Sequence, residues 1–164
     1  MRQMGEMAAD FRWGAGAVAS RHPRSESRMS PAAYEAIIHA GVPLAASWGV
    51  RVLSAEAGVA RLELPASPLL LRPGGTVSGP AIMGLADVAM WAALLSLTEG
   101  RDESLTATMN VSFLRPCGPG PLLAEARLIK PGGRSLFGEV LIRRAGSDEV
   151  CVHVTTGWVR PQPR

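Results

Sequence analysis

One long apolar segment constrains this chain more than any other feature of its sequence. Pro80 to Leu97 reads PAIMGLADVAMWAALLSL, with a single ionisable residue, Asp87, near its centre. The segment approaches the length of a membrane span, but a carboxylate at the bilayer centre costs roughly 2.5–3.5 kcal/mol on insertion. The segments on both sides of it have the alternation and the turn residues of a soluble domain. We therefore predict a buried helix, opened by Pro80 in its first turn, and no membrane partner.

The rest of the chain predicts a turn-rich sheet. Gly and Pro account for 18 and 13 of the 164 residues, which favours strands and turns over a helical bundle. A short helix, Pro31–Ala40, has Ser30 as its N-cap and Gly41 as its stop. The simplest arrangement is an α+β fold, in which an antiparallel sheet of about six strands curls around the long helix. Apolar alternation and flanking turns place these strands at Val50–Glu56, Ala60–Leu64, Thr106–Phe113, Leu122–Lys130, Leu136–Arg143 and Val150–Val159.

The organisation of the chain is that of one domain with an extension. Residues 1–30 have no sustained hydrophobic period, so we predict a mobile N-terminal extension followed by one domain over residues 31–164. The length of 164 residues is enough for one core and short for two.

Charge and cysteine content exclude several function classes. The net charge is +3, and the basic residues are scattered, unlike the dense stripe that binds a nucleic-acid backbone. Cys117 and Cys151 form no CxxC pair and have no His at metal-ligand spacing, so we expect reduced thiols, no metal and no disulfide framework. The scattered charge argues against nucleic-acid binding. The N-terminal stretch has no signal-peptide core, so we expect a cytoplasmic protein.

Asp87 is the first candidate for chemistry. An ionised carboxylate inside an apolar helix carries a desolvation cost unless it is hydrogen-bonded, paired or placed at a polar cleft. In a structural interpretation, Asp87 caps a neighbouring loop or pairs with an arginine. In a functional one, it is a base or nucleophile whose pKa is raised by its surroundings.

The start of the same helix is the second candidate. Ser78-Gly79-Pro80 ends a glycine-rich loop and brings free backbone N–H groups and the positive end of the helix dipole to that point. A plain loop-to-helix junction is the structural alternative. Gly79 and Asp87 are eight residues apart, roughly 12 Å along one helix axis, which is too far for one small carbonyl to touch both. We infer a homodimer with antiparallel helices and its sites at the interface, and expect two dimers to join in a homotetramer.

The sequence around both candidates resembles a known family. RPGGTVSGPAIMGLADVA (Arg72–Ala89), followed by TMNVSFLRP (Thr108–Pro116), is similar to the hotdog-fold thioesterases of the phenylacetate-pathway (PaaI) type. The resemblance extends roughly from Pro43 to Val159. It implies that Asp87 is the base or nucleophile that acts on an acyl-CoA thioester and that the Gly79 amide polarises the carbonyl. It also implies that Thr106 orients the attacking water.

Three family residues are replaced in this chain. The histidine of the family's His-Gly-Gly motif is Ser78 here, its second glycine is Pro80, and the asparagine often found ahead of the motif is Arg72. Pro80 offers no N–H, but Gly79 keeps its own. Loss of the His and Asn predicts reduced, altered or absent activity. The remaining residues expected around the substrate are an acyl-pocket set, Met83, Met90 and Trp91, for which core packing is the alternative, and a polar set, Ser78, Arg72, Asn110, Arg115 and Arg134. Arg115 and Arg134 resemble positions near the coenzyme A entrance of related proteins, and solvated surface arginines are the alternative for these two.

Three functions compete. The leading hypothesis is hydrolysis of a short-chain, medium-chain or aromatic acyl-CoA, with coenzyme A present as part of the substrate and no other cofactor. The alternative is a non-catalytic or weakly catalytic acyl-CoA or fatty-acyl binding protein. A dehydratase or hydratase of the same fold is disfavoured, because no histidine lies near the long helix.

Overall fold

The computed structural model describes residues 29–162. The predicted extension over residues 1–30 therefore lies outside the described residues except for its last two. Helix α1 (Pro31–Gly41) begins where the sequence predicts, and the Ser30 hydroxyl oxygen accepts a hydrogen bond from the Ala33 amide at 3.2 Å. A second helix, α2 (Pro43–Ser47), was not predicted. Its five residues are too few to show a helical hydrophobic period.

All six predicted strands are present, with shifts of one residue at some ends. They form one antiparallel sheet in the order β1-β2-β4-β5-β6-β3. The turn between the first two strands has positive φ at Ala57 and Gly58, which is the conformation of a tight hairpin turn. The strands are β1 (Arg51–Glu56), β2 (Val59–Leu64), β3 (Leu105–Phe113), β4 (Leu122–Lys130), β5 (Ser135–Arg144) and β6 (Val150–Val159).

The long apolar segment forms helix α3 (Gly79–Leu95), which packs chiefly against β4, β2 and β5. The sheet thus curls around one central helix, as in the hotdog fold that the sequence resembles. Most of α3 is buried. A narrow stripe on one side reaches the surface, and it consists of Pro80, Met83, Gly84, Asp87 and Trp91. Among residues 29–162, no helix has both the length and the apolarity needed to cross a membrane.

Strand β3 lies at an edge of the sheet and is largely exposed. Its register against β6 shifts by one residue, because Thr106 pairs with Trp158 and Thr108 pairs with Gly157. One residue of β6 therefore corresponds to two of β3, and the extra residue is Ala107. The bulge places Thr106 and Thr108 on opposite faces of the sheet. A regular strand over Thr106–Phe113 would place Thr106 and Thr108 on the same face, so the bulge departs from the strict alternation of the sequence.

Candidate active site

Asp87 and Thr106 form a short hydrogen bond on the helix side of the sheet. The Thr106 hydroxyl donates to Asp87 Oδ1 at 2.6 Å. This contact depends on the bulge at Ala107, which turns Thr106 toward α3. Among the described residues, Asp87 pairs with no arginine and caps no loop, so neither structural interpretation describes it.

The environment of Asp87 makes its carboxylate more basic than an ordinary aspartate. Burial raises the pKa of Asp87, and the hydrogen bond from Thr106 opposes part of that rise. The carboxylate lies on the exposed stripe of α3 and is only partly buried. A basic carboxylate with an aligned hydroxyl beside it and open access on one side is suited to activate a water or to attack an acyl group.

The loop before α3 is held by a short antiparallel ladder. Ser78 N–H donates to the Leu70 carbonyl at 2.8 Å, Leu71 and Val77 form a bridge, and Arg72 N–H donates to the Thr76 carbonyl at 2.9 Å. Ser78 is the N-cap of α3 in extended conformation, and its side chain makes no capping bond. The Gly79 amide follows at the first helical position, where an N–H has no partner within the helix.

A cavity of about 490 Å³ opens beside Gly79. Its walls come from the loop before α3, the first turn of α3, and the end of β3 with the turn that follows. Most of the wall is apolar, and two arginines supply its positive charge. The lining residues are Arg72, Thr76, Val77, Gly79, Ile82, Phe113, Leu114, Arg115, Pro116 and Cys117.

The two candidate centres lie apart within one chain. Asp87 and Thr106 do not line the cavity beside Gly79, and the eight-residue spacing along α3 corresponds to roughly 12 Å. Thr106 is near the beginning of β3, whereas the cavity takes its wall from the end of β3. A single chain therefore has two separate candidate centres, the Gly79 amide with its cavity at the start of α3 and Asp87 with Thr106 at the middle of α3.

The two arginines predicted at the substrate entrance lie near different centres. Arg115 lines the cavity, and its guanidinium donates to the Val150 carbonyl at 3.0 Å. Arg134 lies in the β4–β5 turn, beside Ser135, which pairs with Val159. Because Val159 also pairs with the first residue of β3, Arg134 lies at the Asp87 end of the sheet.

The predicted acyl-pocket residues have different positions. Met83 is 38% exposed on the same helical stripe as Asp87. Met90 is fully buried, and its side chain lies against Gly138 of β5. Trp91 packs against Gly41, and its indole N–H donates to the Asp102 carbonyl at 3.3 Å. Met90 and Trp91 thus have packing roles within one chain.

Asn110 lies away from both centres. It pairs with Thr155, two positions along the ladder from the pair that Thr108 makes with Gly157. It therefore shares the outer face of the sheet with Thr108, on the side opposite Thr106.

The residues that form the apolar wall of the cavity were not predicted from the sequence. Phe113 is the last inward-facing residue of the alternating run in β3, and this alternation could have identified it as part of the wall. Leu114 and Pro116 lie in a turn, where no periodicity marks them. Within residues 29–162, no three His, Cys, Asp or Glu side chains are grouped so that they could hold one metal ion.

Comparisons with known proteins agree with this architecture. The family model described as "Thioesterase superfamily" matches residues 74–151, which include all of α3 and β3. Residues 74–151 are therefore similar to the thioesterase superfamily. "Putative esterase SSO1253" of Saccharolobus solfataricus is 28% identical over 111 residues, which are 68% of this chain and 73% of that protein.

Two solved structures show the same fold. The structure of "a putative thioesterase" from Silicibacter sp. TM1040 has a TM-score of 0.73 at 28% identity and covers 84% of this chain and 95% of that one. The PaaI protein of the E. coli phenylacetic acid degradation operon has a TM-score of 0.70 at 18% identity, with coverages of 79% and 91%. The fold is therefore the hotdog fold, as predicted. The similarity to thioesterases and to putative esterases supports a hydrolase.

Proposed function

We propose that this protein is an acyl-CoA thioesterase that hydrolyses a short-chain, medium-chain or aromatic acyl-CoA to the free acid and coenzyme A. The observation that carries this proposal is the Asp87 carboxylate, partly buried on the open stripe of α3, with the Thr106 hydroxyl 2.6 Å away. The cavity beside Gly79 supplies room for an acyl group and a backbone N–H for its carbonyl oxygen.

The chemistry needs one base or nucleophile and one donor to the oxyanion. The Asp87 carboxylate either takes a proton from water as that water attacks the thioester carbon, or attacks this carbon itself to form an anhydride that water then hydrolyses. In both routes the Gly79 N–H stabilises the negative oxygen of the tetrahedral intermediate. Collapse of the first tetrahedral intermediate breaks the C–S bond and expels the CoA thiolate, which takes up a proton. The acid leaves at once in the first route and after hydrolysis of the anhydride in the second. Thr106 holds the carboxylate and orients the water.

A homodimer completes the site in this proposal. Antiparallel packing of two α3 helices brings Gly79 of one chain to Asp87 of the other. The edge position of β3 and the exposed stripe of α3 are surfaces that such a partner would cover. The same symmetry brings Arg115 of one chain and Arg134 of the other to one entrance, where guanidinium groups suit the phosphates of coenzyme A. A dimer of dimers would give the tetramer.

The size and lining of the cavity support the proposed substrate range. About 490 Å³ with a largely apolar wall that includes Phe113 suits a short aliphatic or an aryl group. The two cysteines among the described residues, Cys117 and Cys151, are free thiols. Free thiols fit the cytoplasm, which we propose as the compartment.

Thiol release from a panel of acyl-CoA esters tests this function. Asp87→Asn keeps the shape of the side chain and removes its charge, so we expect kcat/KM to fall by about 10²–10⁴-fold with the fold intact by circular dichroism. Asp148→Asn, the same change at an exposed position between β5 and β6, is the matched control and should leave kcat/KM unchanged. Equal turnover by wild type and Asp87→Asn would overturn the mechanism.

Replacement of the family histidine by Ser78 and of the family asparagine by Arg72 favours a second candidate, an acyl-CoA binding protein with little or no turnover. Saturable binding of the esters in calorimetry, together with no thiol release by the wild type, would select it.

A further inference from the structure

Arg72 has a fixed backbone position on the loop before α3. Its N–H donates to the Thr76 carbonyl, and its own carbonyl accepts from the Gly75 N–H at 3.1 Å. Gly74 and Gly75 have φ of 98° and 74°, a region that glycine adopts without strain. The tight turn therefore determines where the Arg72 side chain begins.

The charge of the cavity is unbalanced around Arg72. The cavity is lined by two arginines and by no aspartate or glutamate. Arg115 is already engaged, since it donates to the Val150 carbonyl and lies 3.9 Å from a carboxylate oxygen of Glu149. Within residues 29–162, no carboxylate pairs with the guanidinium of Arg72. Arg72 is thus an exposed cation of the cavity whose guanidinium makes no hydrogen bond or ion pair to the protein within these residues.

The distance from Arg72 to the reacting carbonyl follows from the ladder. Arg72 pairs with Thr76 across the ladder. Gly79 lies three residues after Thr76 along a mainly extended segment, so it is roughly 10 Å from this pair at 3.3 Å per residue. The side chain of arginine covers a large part of that span. A group bound between the Gly79 amide and the Arg72 guanidinium is therefore a compact one.

We propose that Arg72 binds a carboxylate at the far end of the acyl group, so that the preferred substrates are CoA monothioesters of dicarboxylic acids. This inference rests on the proposed function, because it assumes that the thioester carbonyl is bound at Gly79. The planar guanidinium presents paired N–H donors that match the two oxygens of a carboxylate. The apolar wall of Ile82, Phe113 and Leu114 covers the methylene or aryl portion between the two ends.

The phosphates of coenzyme A are the other anions that could reach Arg72. The whole pantetheine arm separates them from the thioester, and that arm is longer than the distance between Gly79 and Arg72. In the proposed function these phosphates lie at the entrance with Arg115 and with Arg134 of the other chain, so a phosphate at Arg72 would need the arm to fold back over the cavity. A carboxylate on a short acyl chain reaches Arg72 directly.

Matched pairs of esters test the proposal. Adipoyl-CoA and hexanoyl-CoA have the same chain length and the same coenzyme A portion, and so do glutaryl-CoA and pentanoyl-CoA. We expect the wild type to prefer the acidic member of each pair by about 10-fold or more in kcat/KM, the size of a charge-assisted hydrogen bond. Arg72→Gln should abolish the preference, and Arg72→Lys should keep part of it. Arg115→Gln, the control from the same cavity, should affect both members equally.

Each contrary result has a defined meaning. Preference of the wild type for the neutral esters would overturn the proposal, as would an equal loss on both members of a pair in Arg72→Gln, which would indicate a phosphate contact. Calorimetric binding of the same pairs to Asp87→Asn gives the comparison without turnover. Failure of the wild type to hydrolyse any ester would overturn the proposed function, while the binding preference would still decide the role of Arg72.

Discussion

At the scale of single residues, Asp87 is subject to two opposing influences. Burial raises its pKa and so strengthens it as a base, but too high a pKa would leave the carboxyl protonated and inactive near neutral pH. The hydrogen bond from Thr106 lowers the pKa again. Thr106 therefore has two tasks, which are to keep Asp87 ionised and to hold it in position.

The pH profile of a Thr106→Val variant tests whether Thr106 keeps Asp87 ionised. Asp87 acts as a carboxylate, so kcat/KM rises as the pH rises through its pKa. Thr106→Val removes the donor that lowers this pKa, so we expect the acid limb of the profile to move to higher pH. The loss of activity should be largest on the acid side and smaller above it. Thr106→Ser keeps the hydroxyl and should leave the limb near its wild-type position; a limb that does not move in Thr106→Val would contradict this role of the hydrogen bond.

At the scale of elements, the contact between α3 and β5 depends on a glycine. A Cβ at Gly138 would lie 2.5 Å from Met90 Cε and 2.6 Å from the Arg127 carbonyl oxygen. Met90 has some freedom to move, but the backbone of the neighbouring strand has little. We expect Gly138→Ala to lower the free energy of unfolding by about 1–3 kcal/mol, as overpacking of a core does.

Urea unfolding measures this difference. The matched control is Gly132→Ala, because a Cβ at Gly132 has nothing within 4 Å, so its free energy of unfolding should stay within about 0.5 kcal/mol of wild type. Equal midpoints for the two variants would mean that the approach of α3 to β5 is not a close one.

The elements differ in how far their sequence determines them. Helix α3 was predicted well because its apolar residues are continuous and its first turn contains Pro80. The hairpin of β1 and β2 was predicted because a tight turn joins neighbouring segments. The bulge at Ala107 has no local marker, since an alanine in a run of alternating residues fits a regular strand equally well. Only the register against β6 reveals it, and that register depends on residues about 50 positions away along the chain.

The candidate site also combines features that the local sequence predicts with features that only the folded chain reveals. Asp87 and Gly79 could be identified from a charge in an apolar helix and from a glycine-rich helix start. The contact between Asp87 and Thr106 required the bulge, and the cavity required β3 to lie at the edge beside β6. Met90 and Trp91 lie on turns of α3 that adjoin Asp87, but Met90 packs against β5 and Trp91 packs against the end of α1. Helical spacing alone does not distinguish a core position from a pocket position.

At the scale of the whole molecule, a single chain does not complete the proposed site, because its own Gly79 and Asp87 are too far apart to act on one carbonyl. A site shared between chains has a symmetry consequence: every site takes its base from one chain and its oxyanion donor from the partner. Two variants that each lack one half should then complement each other. Gly79→Pro removes the N–H at the first helical position, where proline is tolerated. It also suits Ser78, whose ψ of 148° is already extended.

Mixed assembly of Asp87→Asn and Gly79→Pro chains tests this arrangement. In an equimolar mixture with free exchange of chains, a given site receives an intact Asp87 with a chance of one half and an intact Gly79 with the same chance. About one quarter of the sites, and hence about one quarter of wild-type activity, should therefore return. The same fraction holds for a dimer and for a dimer of dimers, since only the pair that forms the site matters. Each variant assembled alone should stay inactive, and a mixture that is no more active than its components would mean that both halves act within one chain.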